Sequence, residues 1–484
     1  MLKKYFISNI TIMLLLNLLV KPLWIFVIDR NVQLTTGKEE YGLYGALVSI
    51  SLIFSILLDL GITNYNTKAL AAENSLIHSK LPNMIAAKAI LSLVYFFVVI
   101  LVALVFQYGG RALFLVFLLA TVQMLNSFLM FLRSNVSAHH HFKTDALLSV
   151  LDKVLMIGIC SVLLFSPLLR THFVIEWFIF AQIAAYLISI LVALTIVIRR
   201  YSKIQFHHFS ISEVVSICKK SVPYAVLILL MAIYMRSDVL MLERLAGPAQ
   251  NYIYLEAYRI LEAANMIAFL FAGILLPMFS RMISQKLNVE NLVVTTANIM
   301  LPASLALVSF CIVFAEPIMK ILYPNDINEQ LILSFSLIIG SFPAFCIMYI
   351  YSTLLTANGN ISMLIRIALF GGVVSISLNL ILIHYFQSVG AALTCFVIEW
   401  LLGVIYIYFC VKQFHLKIQF SRIAQFIIVF AIMWCLNACL RYFDIKLPYA
   451  IACNLITFLT VVYSIKLWDK KLIEPYFKQF SSNT

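Results

Sequence analysis

The residues of this chain most able to do chemistry are ionisable side chains lodged inside apolar stretches. The densest group is Arg236 and Asp238, followed by Glu256, Arg259 and Glu262. Lys21 beside Pro22, Asp59 in Leu57-Leu58-Asp59-Leu60-Gly61, the pair Asp152-Lys153 and the isolated Glu399 complete the set. A charge at mid-bilayer costs about 2.5–3.5 kcal/mol on insertion scales, so each of these groups needs a partner, water or a ligand. Buried cations bind anions, and arginine offers phosphate paired donors. Buried carboxylates exchange a proton or hold a cation when their burial changes. The chemistry open to this set is the binding of anions and cations within a membrane.

Spacing narrows the roles. Glu256, Arg259 and Glu262 recur at i, i+3 and i+6, which places them along one helical stripe. Arg236 and Asp238 are two apart and point to different sides of a helix, so they form no simple local pair. Two readings stay open for this group: a mutually neutralising ion network near the outer leaflet, or the polar wall of a cavity between two lobes. Lys21 lies deep in the first apolar run, and Pro22 frees a backbone carbonyl there, which membrane helices tolerate beside a cavity or a compensating neighbour. Lining a cavity and snorkelling to the surface are its two options. Asp59, Asp152 and Lys153 sit toward cytoplasmic span ends, as gate residues or as ordinary interfacial ones. Glu399, with no basic residue near it in sequence, is either paired from another helix or held neutral by burial.

Other patterns carry less. His139, His140 and His141 fan out over roughly 200° on a helix and read as interfacial polar residues, not metal ligands. Of nine cysteines all but Cys218 fall inside apolar runs, and Cys435 and Cys439, one turn apart, lack further ligands nearby. They read as small packing residues. No glycine-rich phosphate loop, nucleophile constellation or soluble catalytic domain is visible, so neither cofactor, metal nor enzymatic activity is expected.

The elements that hold these residues follow from composition. Of 484 residues 63% are hydrophobic and only 11% charged, too apolar for any soluble core of this length. At ~21 residues per crossing this is material for about fourteen spans. Apolar stretches lie near 10–28, 41–63, 84–106, 112–132, 147–169, 173–198, 222–242, 257–279, 292–315, 331–356, 363–385, 389–411, 423–440 and 447–466, with twelve spans as the competing count. The start, Lys3-Lys4 and an apolar run interrupted at Lys21-Pro22 with no cleavage pattern, reads as an uncleaved first span. The net charge of +13 does not mark a nucleic-acid binder, because the basic residues punctuate span ends. With alternating spans and a cytoplasmic N-terminus, 23 of the 34 lysines and arginines fall inside and eight outside, leaving Lys21, Arg236 and Arg259 within the membrane. This asymmetry places both termini in the cytoplasm.

The longest polar stretch, Arg199–Ser221, contains the capping-box pattern Ser210-x-x-Glu213 and reads as an interfacial helix or a plain basic loop. Phe173-Val174-Ile175-Glu176-Trp177 recurs letter for letter as Phe396-Val397-Ile398-Glu399-Trp400. Each copy falls on the last span of a six-span half, which suggests a transporter built of repeats. The expected organisation is an N-lobe at 1–200, a cytoplasmic linker at 201–221, a C-lobe at 222–412, and two further spans with a short tail at 413–484.

On this all-α, polytopic background the chain resembles the Wzx-like polysaccharide flippases of the multidrug/oligosaccharidyl-lipid/polysaccharide exporter superfamily. The resemblance rests on Glu40-Tyr41-Gly42-Leu43-Tyr44-Gly45-Ala46-Leu47, Leu58-Asp59-Leu60-Gly61-Ile62 and Arg236-Ser237-Asp238. Tyr258-Arg259-Ile260-Leu261-Glu262-Ala263 and Leu275-Leu276-Pro277-Met278-Phe279-Ser280 extend it, over roughly residues 5–412. It implies two six-helix bundles, alternating access, and export of an undecaprenyl-pyrophosphate-linked sugar repeat unit, such as an O-antigen unit for lipopolysaccharide, across the bacterial inner membrane. Lys21, Arg236 and Arg259 would then meet the pyrophosphate. Asp238, Glu256, Glu262 and Glu399 would couple movement to a proton or sodium ion. Expected partners are membrane lipids, the lipid-linked oligosaccharide and polysaccharide polymerase or assembly proteins. A multidrug or organic-cation antiporter and a lipid II flippase of the same fold are the alternatives.

Overall fold

The computed structural model describes residue 16 and residues 19–60, 62–63, 76–138, 142–201, 211–417, 419–465 and 467. His139–His141 and Gly61 lie outside the described residues. Every regular element among the described residues is helical. Helix α1 passes through a π-helical turn, Trp24–Asp29, into Arg30–Thr36. After Gly37, whose φ of 84° favours glycine, α2 spans Lys38–Ile53 and tightens into a 3-10 turn, Phe54–Leu58. Then come α3 (Leu76–Val105), α4 (Arg111–Ala138), α5 (Phe142–Phe165), α6 (Ile175–Tyr201), α7 (Ile211–Ala246), α8 (Pro248–Ser284) and α9 (Glu290–Val313). Helix α10 has two segments, Glu329–Gly340 and Phe342–Ala357, and α13 (Phe420–Tyr442) and α14 (Leu447–Ser464) close the series.

Between them Ile361–Phe414 runs as 54 residues, but Gln387 (φ 52°, ψ −124°) leaves the helical region and parts it into α11 and α12. The corner is tight: a Cβ on Gly390 would overlap the Leu382 carbonyl, so only glycine fits there. Among the described residues, 12 helices are long and apolar enough to span a membrane, the 54-residue stretch counted once. Parting it at Gln387 and adding the partly described α1 yields the fourteen read from hydropathy. Large apolar side chains stand exposed along the spans, among them Leu93 (72%), Phe97 (69%), Val373 (58%) and Ile456 (66%). Water would not tolerate such a surface; lipid does. The protein is a multi-pass membrane protein.

The chain forms two compact units, Met1–Tyr252 and Ile253–Thr484. In the first, α6 packs on α4 and α5, and α2 packs on α4 and α7. Helix α7 runs unbroken from Ile211, so 211–221 is continuous with the apolar stretch that follows it. In the second unit α10 packs against α9 and the α11–α12 stretch, while α13 and α14 dock on α9. That docking joins an apolar cluster (Ala306, Val429, Met433, Phe458, Val462) to a polar zipper. Asn437 donates to Ser309 Oγ (2.7 Å) and accepts from Asn454 (2.8 Å). In lipid such bonds add directional attraction where the hydrophobic effect is weak.

Candidate functional site

The site builds outward from α1. Pro22 cannot donate the hydrogen bond that an α-helix needs of its N–H, and the π-helical turn beginning at Trp24 follows at once. Trp24 thereby stacks on Phe178 of α6, with ring centroids 5.5 Å apart at 11°. The Lys153 ammonium lies 5.2 Å from the centre of the Trp24 ring and 5.6 Å from that of Tyr186. It also pairs with Asp152 Oδ2 at 3.5 Å. Half-buried Lys21 sits within electrostatic reach of Lys153, Asp152 and Arg133. Arg133 bonds Asp145 across the α4–α5 pair at 2.9 Å. Three cations face two carboxylates, with aromatic faces beneath one of them. An anion bearing more than one negative charge could displace a carboxylate from this group.

The tertiary structure thus brings the predicted pyrophosphate ligand Lys21 beside two predicted gate residues, Asp152 and Lys153. Arg133, toward the C-terminal end of α4, joins them. The third gate candidate, Asp59, lies apart, where α2 breaks and Leu60 takes a positive φ of 41°. Its carboxylate receives Lys88 Nζ (2.7 Å) and Thr63 Oγ1, while Lys88 also donates to the Leu58 carbonyl (3.2 Å) and Ser127 Oγ (2.9 Å). Lys88 is 3% exposed, a buried cation that satisfies the carbonyl freed by the break. A lysine within an apolar run was the available signal, but its partner could not be read from local spacing.

Toward the opposite end of the unit, Tyr41 donates to Asp29 Oδ1 (2.9 Å) at the end of the π turn. Asp29 is buried and falls one position beyond the apolar run at 10–28. Arg111 ties Glu40 and Glu176 together, each at 2.6 Å. Tyr108 in the α3–α4 turn donates to Glu243 Oε2 (2.6 Å), and the Arg244 guanidinium lies 3.5 Å from its ring centre. Burial pushes the Tyr108 phenol well above its ordinary pKa, and the Glu243 carboxylate pushes it the same way. Arg236 is half-buried on α7 with no hydrogen-bond or ion-pair partner among the described residues. Asp238 is buried and accepts from the Val239 N–H at 2.8 Å.

In the second unit, Arg259 (6% exposed) pairs with Glu262 at 3.4 Å, the i, i+3 contact its spacing implies. Glu256, on the same stripe, is fully buried. Glu399 is 3% exposed and within electrostatic reach of Tyr349 and Tyr406. The five-residue repeat does not make Glu399 an equivalent of Glu176: Glu176 stands in the first turn of α6, whereas Glu399 lies well inside α12. Its aromatic pairs do agree, Phe173–Trp177 and Phe396–Trp400 both at 6.4 Å. Asn379 on α11, passed over in sequence, is fully buried with neither side-chain polar atom hydrogen-bonded among the described residues.

Residues 6–283 match the family model described as polysaccharide biosynthesis protein. No curated protein matches the chain in sequence. Among solved structures the chain is similar to lipid II flippase MurJ in an inward closed conformation: TM-score 0.71, 14% identity, 93% of this chain and 97% of that one. It is also similar to a multidrug resistance MATE family transporter of the MOP superfamily in an inward-facing conformation (TM-score 0.66, 15% identity, 81% and 94% covered). A MOP superfamily transporter from Pyrococcus furiosus, described as having a binding pocket of reverse polarity, gives a TM-score of 0.54 at 15% identity, with 84% and 93% covered. At such identities these likenesses establish the fold alone.

Proposed function

The chain belongs to the polysaccharide biosynthesis protein family, and from that premise we propose that it is a flippase for a lipid-linked oligosaccharide. Its substrate is an undecaprenyl-pyrophosphate-linked repeat unit, carried across the bacterial cytoplasmic membrane by alternating access, with both termini in the cytoplasm. The observation that carries this reading is the gathering of Lys153, Asp152 and Arg133 around Lys21 in the first unit. A pyrophosphate needs concentrated positive charge in a poorly hydrated place, and Asp152 holds that charge in balance until the anion replaces it. Trp24 and Tyr186 keep Lys153 extended for that exchange. Arg236 of the first unit and buried Arg259 of the second are further candidates for meeting the pyrophosphate. Asp238, Glu256, Glu262 and Glu399, carboxylates on apolar helices, are the candidates for exchanging a proton or sodium ion.

The purified protein in proteoliposomes should move lipid-linked oligosaccharide between leaflets, faster under an imposed proton or sodium gradient. Lys21→Ala should abolish that movement, and Lys21→Arg should keep most of it. Movement of lipid II instead, or efflux of organic cations with oligosaccharide left in place, would overturn the substrate assignment. Equal rates with and without either gradient, in wild type and Glu399→Gln alike, would remove the cation coupling.

A further inference from the structure

We infer that the corner where α7 turns into α8 is a releasable latch seated on α2 and the α3–α4 turn, and that Gly42 is the residue that lets it close. The inference rests on the transport reading only in taking the protein to cycle between conformations. The corner is built on Gly247, whose φ of 90° turns the chain, and Pro248 opens α8. Gly42 of α2 faces it so closely that a Cβ at that position would overlap the Pro248 carbonyl. One turn further, Asn251 Nδ2 donates to the Gly42 carbonyl at 2.7 Å, and Tyr252 meets Tyr41 edge-on at 6.3 Å. The other flank is held by the α3–α4 turn: Tyr108 bonds Glu243, and Arg244 covers the Tyr108 ring.

Three features distinguish this corner from permanent packing. It is made by the close approach of two backbones, a few hydrogen bonds and the edge-on contact of Tyr41 with Tyr252. Closed, it leaves Asn251 Oδ1 buried without a hydrogen-bond partner among the described residues, and opening would return that atom to water. It also buries the Glu243 carboxylate (7% exposed), which water would solvate in the open form. Position adds the reason for release. The residue after Tyr252 begins the second compact unit, so the latch grips the chain at its exit from the first. Charge asymmetry assigns this end of the spans to the outside, and a carrier must open its outer end once per cycle. Tyr41 belongs to the latch and also holds Asp29, so α1 is tied to the same contact.

The test is thiol accessibility on a cysteine-free background in intact cells, using a membrane-impermeant maleimide. Gly109→Cys, in the exposed neighbouring turn, sets the full external labelling rate. Tyr252→Cys, at a position 1% exposed, should label from outside more slowly, and adding Gly42→Val should speed it severalfold. A protein retaining only Cys160, fully buried in α5, carries the same Gly42→Val change and should stay unlabelled, which separates opening from unfolding. Joining a Tyr41→Cys/Tyr252→Cys pair, which leaves Gly42 intact, with a disulfide-containing bis-maleimide should stop transport until a reductant is added. Tyr252→Cys that never labels while Gly109→Cys labels fully, or a cross-linked protein that transports normally, would make the corner a static junction. Equal labelling with and without Gly42→Val would remove Gly42 from the latch. Labelling needs no substrate, so the latch can stand if oligosaccharide transport fails, and fall while that transport succeeds.

Discussion

Replacing Lys153 by methionine removes one charge from the Lys21–Lys153–Arg133 group and keeps the side chain's length. Lys153 Nζ stands 3.5 Å from Asp152, and the side chain is 23% exposed. A phosphoryl oxygen taking Asp152's place would lie at a similar range. At ~4 Å and an effective dielectric of ~20, unit charges attract by about 4 kcal/mol. Partial exposure and the loss of Asp152 as a partner discount this to about 2–3 kcal/mol, the lower part of the cost for truncating one member of a buried charge pair. The initial rate of lipid-linked oligosaccharide movement at limiting substrate should therefore fall about 30- to 150-fold. Lys153→Arg should stay near wild type, and Asp152→Asn/Lys153→Met should recover part of the loss, because it removes the carboxylate left without a cation. A Lys153→Met protein that moves substrate at the wild-type rate under limiting substrate would refute the reasoning, because the substrate would then not read this charge.

Lys88→Met leaves Asp59 without its cation and should destabilise the protein by about 3–5 kcal/mol, seen as a lower thermal midpoint in detergent. Asp59→Leu/Lys88→Met should restore most of it; an unchanged midpoint in Lys88→Met would show that the pair does not hold the break in α2. Asn437→Ala removes hydrogen bonds to Ser309 and Asn454 and should cost about 1–2 kcal/mol, read as earlier unfolding of α13 and α14 in hydrogen exchange. Unchanged exchange there would leave their docking to the apolar cluster alone. A reporter fused to the C-terminus should be active on the cytoplasmic side, and activity outside would invert the topology drawn from the basic residues.

Particular residues show how much of the candidate site was legible. Lys21, Arg236 and Arg259 stood out because an uncompensated cation in an apolar run is costly wherever it ends up. Arg259 with Glu262 was readable as a pair, since i, i+3 neighbours meet on any helix. Lys153 over Trp24 was not, because that contact joins α5 to α1 and depends on the π turn that re-aims α1. Asp29 was not legible for a related reason: it lies one residue beyond the apolar run, and only the fold brings Tyr41 to hold it. The repeated Phe-Val-Ile-Glu-Trp marks the two helices without setting a common register, since identical letters sit at the mouth of α6 and deep inside α12.

By itself the sequence determined the solvent, the all-helical class, the places of the spans, and the residues whose burial would demand an explanation. These follow from composition and short-range periodicity, because a bilayer obliges each segment to satisfy its own backbone and advertises each span as a long apolar run. Only the tertiary structure decided which carboxylate meets which cation and that Lys88 closes the break in α2. It also decided that Gly42 is where α2 admits Pro248. Those contacts join residues far apart in the chain, and side chains that meet through folding leave no common period in the sequence.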